Sequence, residues 1–191
     1  MFVLKIAIVS DTHGCAAAWQ HIYETYMSDV DSIIHAGDIL YHGPRNEIPA
    51  EYNPKSLIDM LNQLPQPFFS VQGNCDSEVD GMVLQWPIHP SFMYLQLGRY
   101  KIVVQHGHTL TDDQKVKLAQ RYRANLFISG HTHLPVLASH EGVTLLNPGS
   151  PAMPKTAAKR GSFALLFDQK IQIVAVDNGE VLMEENYGSF N

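Results

Sequence analysis

Five short apolar runs, each ending in a polar cluster, constrain this chain more than any other feature of its sequence. They are rich in β-branched and aromatic residues, and such runs bounded by Gly and polar residues are typical of buried strands. The runs are Lys5–Ser10, Ser32–Ala36, Phe68–Gln72, Lys101–Gln105 and Leu126–Ser129. The clusters that follow them begin at Asp11, Gly37-Asp38, Gly73-Asn74, His106 and Gly130-His131. Successive clusters are separated by between 25 residues (His106 to His131) and 36 residues (Asp38 to Asn74), which fits a βα or βαβ unit of roughly 30 residues.

Amphipathic helices are predicted between these strands. The first follows the i, i+3, i+4, i+7 rhythm of apolar residues and contains Trp19, Ile22, Tyr23, Tyr26 and Val30. The second contains Leu57 to Leu64, with Asn53 as its N-cap and Pro54 at its first position. A third is predicted to begin at Thr111, which matches a capping box with Gln114.

The order of these elements predicts an α/β fold with two β-sheets, one largely parallel and the other more antiparallel. The antiparallel part is expected from short C-terminal strands at Ser162–Phe167, Ile171–Val176 and Val181–Glu184, with further strands near Phe92–Leu97 and Val143–Leu146. Asp177-Asn178-Gly179 between the last two is a hairpin signal. A chain of 191 residues fits one domain, over residues 1–191.

Composition and charge limit the partners and the compartment. The net charge of -6 and the lack of a Lys/Arg run argue against stable nucleic-acid binding. The sequence has no apolar run of about 18 residues, which excludes a membrane-spanning helix, and its start lacks the features of a signal peptide. Cys15 and Cys75 are too few for a disulfide framework, so we expect free thiols and a cytoplasmic location.

The polar clusters predict a metal site, because the carboxyl ends of strands in an α/β sheet meet at one edge and ligands bind there. The predicted ligands are Asp11, His13, Asp38, Asn74, His106, His131 and His133. Mixed nitrogen and oxygen donors suit Mn, Fe or Zn better than Mg, and neither thiol is expected among them. Seven ligands exceed the need of one tetrahedral ion, whereas a shared carboxylate would hold two ions about 3.5–4 Å apart. Such a pair would hold phosphoryl oxygens and convert a bridging water into a hydroxide nucleophile.

The ordered motifs resemble the calcineurin-like metallophosphoesterase superfamily, whose pattern is D-x-H, G-D, G-N, H-G and G-H-x-H. Here they are Asp11-Thr12-His13, Gly37-Asp38, Gly73-Asn74-Cys75-Asp76, His106-Gly107-His108 and Gly130-His131-Thr132-His133. Within the superfamily the chain is similar to the small YfcE-type phosphodiesterases. Segments that carry this further similarity begin at His42, Gly73 and Asn147.

The resemblance implies a four-layer αββα sandwich of two mixed β-sheets flanked by helices. It also implies one ion held by Asp11, His13 and His133, and a second ion held by Asn74, His106 and His131. Asp38 would bridge the two ions. Manganese is the expected metal, with Fe, Zn or Ni as alternatives, and the expected activity is cytoplasmic hydrolysis of a small phosphodiester substrate. A homodimer or homotetramer is left open by the resemblance, and nothing in the composition shows one.

The catalytic assignments are Asp38, Asn74, Cys75 and Asp76. Many superfamily members carry His after the Asn, where it is taken to protonate the leaving group or bind the phosphate, and this chain has Cys75 instead. Asp76 follows directly and could orient an imidazole at position 75.

Arg45 and His108 are the candidate substrate-binding residues. Arg45 lies in a long loop beside Asp38, and its guanidinium matches phosphate, although an exposed loop arginine is more often only solvated. His108 either contacts the substrate or orients His106, and we favour the second role. Asn147 to Ser150 form either a strand-ending turn or a wall of the site.

Two other functions compete with a phosphodiesterase. One is a protein-binding scaffold on the same fold, as in the retromer subunit similar to this family; a scaffold can lose ligands, and this chain keeps the whole set. The other is a phosphomonoesterase, against which Cys75 argues.

Overall fold

The computed structural model describes residues 4–49 and 51–186, so the predicted domain over residues 1–191 extends beyond the described residues at both ends. The helices are α1 (Ala16–Ile22), extended by a π-helical turn at Tyr23–Met27, α2 (Pro54–Asn62), α3 (Glu78–Val83) and α4 (Asp112–Arg121). The strands of the N-terminal half are β1 (Lys5–Val9), β2 (Ser32–His35), β3 (Phe68–Val71), β4 (Ile88–His89), β5 (Met93–Leu97) and β6 (Tyr100–Val104). The later strands are β7 (Leu126–Ile128), β8 (Pro135–His140), β9 (Val143–Pro148), β10 (Ser162–Phe167), β11 (Lys170–Ala175) and β12 (Val181–Asn186).

These strands form a seven-stranded sheet in the order β12-β11-β10-β1-β2-β3-β4 and a five-stranded sheet in the order β5-β6-β7-β9-β8. In the first, β1 to β4 are parallel, and β10 pairs antiparallel with β1, so that Ile8 lies opposite Ala164. In the second, β6, β7 and β9 are parallel, with β5 and β8 antiparallel at the edges. Both sheets are therefore mixed, as the resemblance implied, and the predicted separation into a largely parallel and a more antiparallel sheet is wrong.

Three separate apolar clusters show that the layers are helix, sheet, sheet and helix. Successive side chains of a strand point to opposite faces, and β1 uses both faces. Ala7 and Val9 pack toward α1 and α2, whereas Ile6 and Ile8 pack toward the five-stranded sheet. On the far side, Val116 of α4 packs against the outer face of that sheet. Burying an Ile side chain contributes about 1.5–3 kcal/mol, so the sheet-to-sheet layer holds the sandwich together.

The helix starts follow the predicted capping chemistry. Asn53 accepts a hydrogen bond from the backbone N–H of Ser56 at 3.1 Å, and Thr111 forms its capping box with Gln114. The hairpin turn between β11 and β12 is also found, with Gly179 at φ 73°. Helix α3 and strands β4 and β8 have no counterpart among the elements predicted from the sequence. No helix among residues 4–49 and 51–186 is both long and apolar enough to cross a membrane.

Candidate functional site

The seven predicted ligands lie at one edge of the sandwich, where both sheets end. Asp11, Asp38 and Asn74 follow the parallel strands β1, β2 and β3 of one sheet. His106 and His131 follow β6 and β7 of the other. Because parallel strands present their carboxyl ends together, residues far apart in sequence share this edge.

One group of ligand atoms consists of Asp11, His13 and His133, all buried. Asp11 Oδ1 lies 3.7 Å from His13 Nε2 and 3.3 Å from His133 Nε2. The two Nε2 atoms are 3.2 Å apart. This is the set that the resemblance assigned to the first ion.

A second group surrounds His106. Its Nε2 atom lies 3.2 Å from Asn74 Oδ1 and 3.4 Å from Asp38 Oδ2. The His131 ring lies 5.4 Å from the His106 ring, between centroids. Asp38 Oδ2 is also 3.8 Å from His13 Nε2, so this carboxylate lies between the two groups, at the position expected of a bridge.

The backbone at this edge is strained, because five of the seven predicted ligands adopt the left-handed conformation. Their φ angles are 56° (Asp11), 47° (His13), 58° (Asp38), 70° (His131) and 58° (His133). Non-glycine residues rarely adopt such angles, at a cost of about 1–3 kcal/mol each, and such strain clusters at functional sites. Close backbone approach adds to the constraint: a Cβ at Gly37 would lie 2.7 Å from the backbone nitrogen of Gly73.

Three imidazoles present the same nitrogen to the site. His13 Nδ1 lies 2.8 Å from the Tyr41 carbonyl, His106 Nδ1 lies 2.7 Å from the Ala36 carbonyl, and His133 Nδ1 lies 2.7 Å from the Met153 carbonyl. A carbonyl can only accept, so each Nδ1 must carry the hydrogen. In the neutral rings Nε2 is then an acceptor, and the 3.2 Å contact between His13 and His133 has no hydrogen to share. Such facing lone pairs repel each other unless a proton or a metal ion lies between them.

The charges agree with a cation site. Burial opposes ionisation of Asp11, but His13 and His133 beside it hold the pKa of its carboxyl well below the usual range. Asp11 Oδ1 is buried and accepts no hydrogen bond from any residue that the structure describes. Burial lowers the pKa of His106, but the contact with Asp38 and the charge of Asp11 outweigh it and raise that pKa to about 9. The residues present therefore fit a divalent metal, which would replace a proton held between His106 and Asp38.

Asp76 holds two of the ligand loops together. Its Oδ2 atom accepts from the backbone N–H groups of Asp38 and Gly73, both at 2.8 Å, and its Oδ1 atom accepts from Ile39 at 2.7 Å. Burial raises the pKa of this carboxyl to about 6, because its effect is larger than the lowering effect of these hydrogen bonds. Both oxygens are directed at backbone amides, so the geometry does not support the predicted catalytic role or the orientation of a group at position 75.

The segment from Asn147 to Met153 positions the loop of His131 and His133. Asn147 Nδ2 donates to the Gly130 carbonyl at 2.7 Å and to Thr132 Oγ1 at 3.1 Å. Ser150 Oγ donates to the Asp11 carbonyl at 2.7 Å and accepts from Met153 N–H at 2.8 Å. The Met153 carbonyl accepts a hydrogen bond from His133 Nδ1. This segment therefore fixes the position of the ligand loop, in addition to ending a strand.

Cys75, one of the predicted catalytic residues, lies beside two of the predicted ligands. Its Sγ is within 4.8 Å of a ligand atom of both His13 and Asp38. The expectation that neither thiol is a metal ligand stays a prediction. The signal in the sequence was its position directly after Asn74. Burial and the neighbouring Asp38 raise the pKa of the thiol to about 12. Cys15 and Cys75 do not form a disulfide.

An open cleft of about 880 Å³ lies over the ligands, and both candidate substrate-binding residues line it. Arg45 is exposed at the cleft, and His108 is exposed with its ring 5.5 Å from that of His106. His106 already donates Nδ1 to the Ala36 carbonyl and directs Nε2 at Asp38, so the geometry favours the substrate role of His108 over the orienting role. Lys155 also lines the cleft; it lies in a loop without a motif, and sequence reasoning missed it.

Comparisons with known proteins agree with this architecture. The family model described as the calcineurin-like phosphoesterase superfamily domain matches residues 4–170. Phosphodiesterase YfcE of Escherichia coli (strain K12) is 31% identical over 183 residues, which cover 95% of this chain and 97% of YfcE. A solved structure of YfcE, a phosphoesterase from E. coli, has a TM-score of 0.86 at 28% identity and covers 97% of this chain and 100% of that chain. Vacuolar protein sorting 29 of Cryptosporidium parvum has a TM-score of 0.69 at 18% identity over 97% of this chain and 100% of that chain, a likeness of fold alone.

Proposed function

The chain belongs to the calcineurin-like phosphoesterase superfamily and is a hydrolase acting on phosphoester bonds; we propose that it cleaves small phosphodiesters at a centre of two divalent metal ions. The observation that carries this proposal is the convergence of the Nε2 atoms of three imidazoles on two buried carboxylates, with His13 Nε2 and His133 Nε2 only 3.2 Å apart. The phosphodiesterase activity named for the E. coli relative supports the choice of substrate class.

The proposed ligand assignment follows the two groups of donor atoms. Asp11, His13 and His133 would hold one ion, and Asn74, His106 and His131 would hold the other. Asp38 would be shared by both, since its Oδ2 atom lies 3.8 Å from His13 Nε2 and 3.4 Å from His106 Nε2. Mixed nitrogen and oxygen donors suit Mn, Fe or Zn. The resemblance to the family favours Mn, with Fe, Zn or Ni as alternatives.

Bound at these positions, the ions would polarise the phosphoryl oxygens and acidify a shared water into the hydroxide nucleophile. The protein's own part is to orient this chemistry. The carbonyls of Tyr41, Ala36 and Met153 fix the ligating rings, and the Asp76 carboxylate fixes the loops of Asp38 and Gly73. We therefore assign Asp76 a positioning role.

The substrate enters the cleft that Arg45, His108 and Lys155 line. A guanidinium pairs with phosphate oxygens through two parallel hydrogen bonds, so Arg45 binds a non-bridging oxygen. His108 extends the same cleft wall beside His131, with their ring centroids 5.9 Å apart.

Cys75 favours diesters with good leaving groups. A thiol is a weak hydrogen-bond donor, and burial raises the pKa of this one to about 12, so it transfers a proton to a leaving group poorly. This argues against the phosphomonoesterase alternative. The complete ligand set argues against a scaffold without activity.

Location and assembly remain proposals. Two thiols without a disulfide support a reducing cytoplasm, and the net charge of -6 supports the absence of stable nucleic-acid binding. A homodimer or homotetramer is a prediction that light scattering measures directly.

The test is a panel of nitrophenyl and natural phosphodiesters, assayed with metal-stripped protein to which one ion at a time is restored. We expect chelation to abolish hydrolysis and Mn to restore it at least as well as Mg. Elemental analysis accompanies each assay. Full activity in protein that contains no transition metal would refute the proposed centre.

A further inference from the structure

Cys75 places a sulfur atom beside two of the proposed metal ligands. Its Sγ, a ligand atom of His13 and a carboxylate oxygen of Asp38 all lie within 4.8 Å of one another. Donor atoms that share one ion each lie about 2.0–2.3 Å from it and are therefore at most about 4.6 Å apart, so a shift of the sulfur by a few tenths of an ångström suffices for a common ion. The sulfur also lines the open cleft, on the side from which the substrate enters.

The neighbours of Cys75 hold it in this position. Its backbone N–H donates to Asp38 Oδ1 at 2.7 Å, and the side-chain amide of Asn74 donates to Sγ at 3.2 Å. Gly43 closes the other side, where an added Cβ would lie 2.7 Å from the sulfur. The thiol is thus packed between the ligand loops and the cleft wall.

An independent observation indicates that a cation belongs at this end of the site. Asp11 Oδ1, fully buried and without a hydrogen-bond partner among the described residues, lies 3.7 Å from His13 Nε2. His13 Nε2 carries no hydrogen in the neutral ring, because Nδ1 donates to the Tyr41 carbonyl. A proton or a metal ion beside His13 satisfies both groups, whether or not position 75 holds a cysteine.

We propose that Cys75 is a metal ligand that engages selectively: its sulfur binds thiophilic divalent ions such as Co²⁺, Zn²⁺ and Cd²⁺ beside His13 and Asp38, and stays unbound with Mn²⁺. As the sulfur–metal bond forms, the S–H bond breaks and its proton passes to solvent water. Thiolate selects soft ions, whereas Mn²⁺ prefers oxygen and nitrogen donors. The inference rests on the proposed metal centre. It implies that a thiophilic ion draws sulfur into the coordination position that faces the substrate.

The experiment is the electronic spectrum of the full chain loaded with Co²⁺, with cobalt stoichiometry measured in parallel. Sulfur ligation produces a sulfur-to-cobalt charge-transfer band in the near ultraviolet, which nitrogen and oxygen ligands do not. We expect the band in the wild type and in Cys15→Ser, the matched control for a thiol at the N-cap of α1. We expect it to be absent from Cys75→Ser and from Cys75→Ala, a second variant in case one of them fails to fold.

A competition series gives a second measurement. Cys75→Ser should weaken Zn²⁺ and Cd²⁺ binding on the order of tenfold or more and leave Mn²⁺ affinity unchanged. Two bound cobalt ions per chain without a sulfur band would overturn the inference and leave the binuclear centre intact. Failure of the wild type to bind cobalt would overturn both the inference and the proposed function.

Discussion

Replacing Ser150 by Ala tests whether the loop behind His133 determines metal affinity. Ser150 is fully buried, and its hydroxyl makes two short hydrogen bonds: it donates to the Asp11 carbonyl at 2.7 Å and accepts from the Met153 N–H at 2.8 Å, in addition to a longer bond of 3.3 Å from the Ala152 N–H. Both partners flank the metal site, since Asp11 is a proposed ligand and the Met153 carbonyl orients His133. Alanine removes both bonds at almost constant volume.

The expected cost follows from these two bonds. Each net hydrogen bond contributes about 1–1.5 kcal/mol, so Ser150→Ala should lower the free energy of unfolding by about 2–3 kcal/mol. For a chain of this size that is a fall of about 4–12 °C in the melting temperature of metal-free protein. Loss of an orienting partner typically costs 10–100-fold in metal affinity, and because Ser150 acts through the backbone we expect about tenfold. Calorimetry measures the melting temperature and the free energy of unfolding, and chelator competition measures the metal affinity.

Ser162→Ala is the matched control. Ser162 is also buried, and its hydroxyl donates at 2.7 Å to the carbonyl of Pro148. Pro148 lies in the same segment, but the hydrogen bonds from that segment to the ligands and their loop come from Asn147, Ser150 and Met153. This variant should lose stability, by about 1–1.5 kcal/mol for its one bond, and keep wild-type metal affinity. Equal metal affinity in Ser150→Ala and Ser162→Ala would refute the positioning argument.

Three further substitutions address the bridge, the cleft and the leaving group. Asp38→Asn should lower both metal stoichiometry and turnover, because this carboxylate lies between both groups of ligands. Cys15→Ala should leave both quantities nearly intact. Two bound ions and wild-type rates in Asp38→Asn would disprove the bridging role of Asp38. Arg45→Ala should reduce kcat/KM by about 10–100-fold at constant metal content, which is the contribution of one charged hydrogen bond. Unchanged kcat/KM on several diesters would show that Arg45 does not bind the substrate. Cys75→His should raise rates on poor leaving groups relative to activated diesters, since general acid catalysis contributes about 10²–10⁴-fold. A plot of rate against leaving-group pKa should be steeper for the wild type than for Cys75→His. Indistinguishable slopes would exclude Cys75 as the determinant of the leaving-group preference.

Much of the fold could be predicted from the sequence because the strands are buried and their hydrophobic patterns are local. The strand Ser162–Phe167 was predicted with the bounds that the structure shows. In contrast, β4 has only two residues, and β8 is a partly exposed edge strand, so neither has a strong apolar pattern. The choice of β1 as the partner of β10 joins segments far apart in the chain, and no local pattern contains that information.

The same distinction separates what the motifs predicted at the site from what they missed. Each proposed ligand follows or lies near the end of a buried strand, so its place at the edge follows from the order of elements. The direction of the Cys75 thiol depends instead on contacts between loops: its N–H binds Asp38 Oδ1, and Asp76 ties the backbone of Asp38 to that of Gly73. These bonds turn the chain after Asn74 back toward His13. The position of the Cys75 thiol beside His13 and Asp38 is therefore created only in the folded chain, and the cobalt spectrum measures whether its sulfur binds a metal ion.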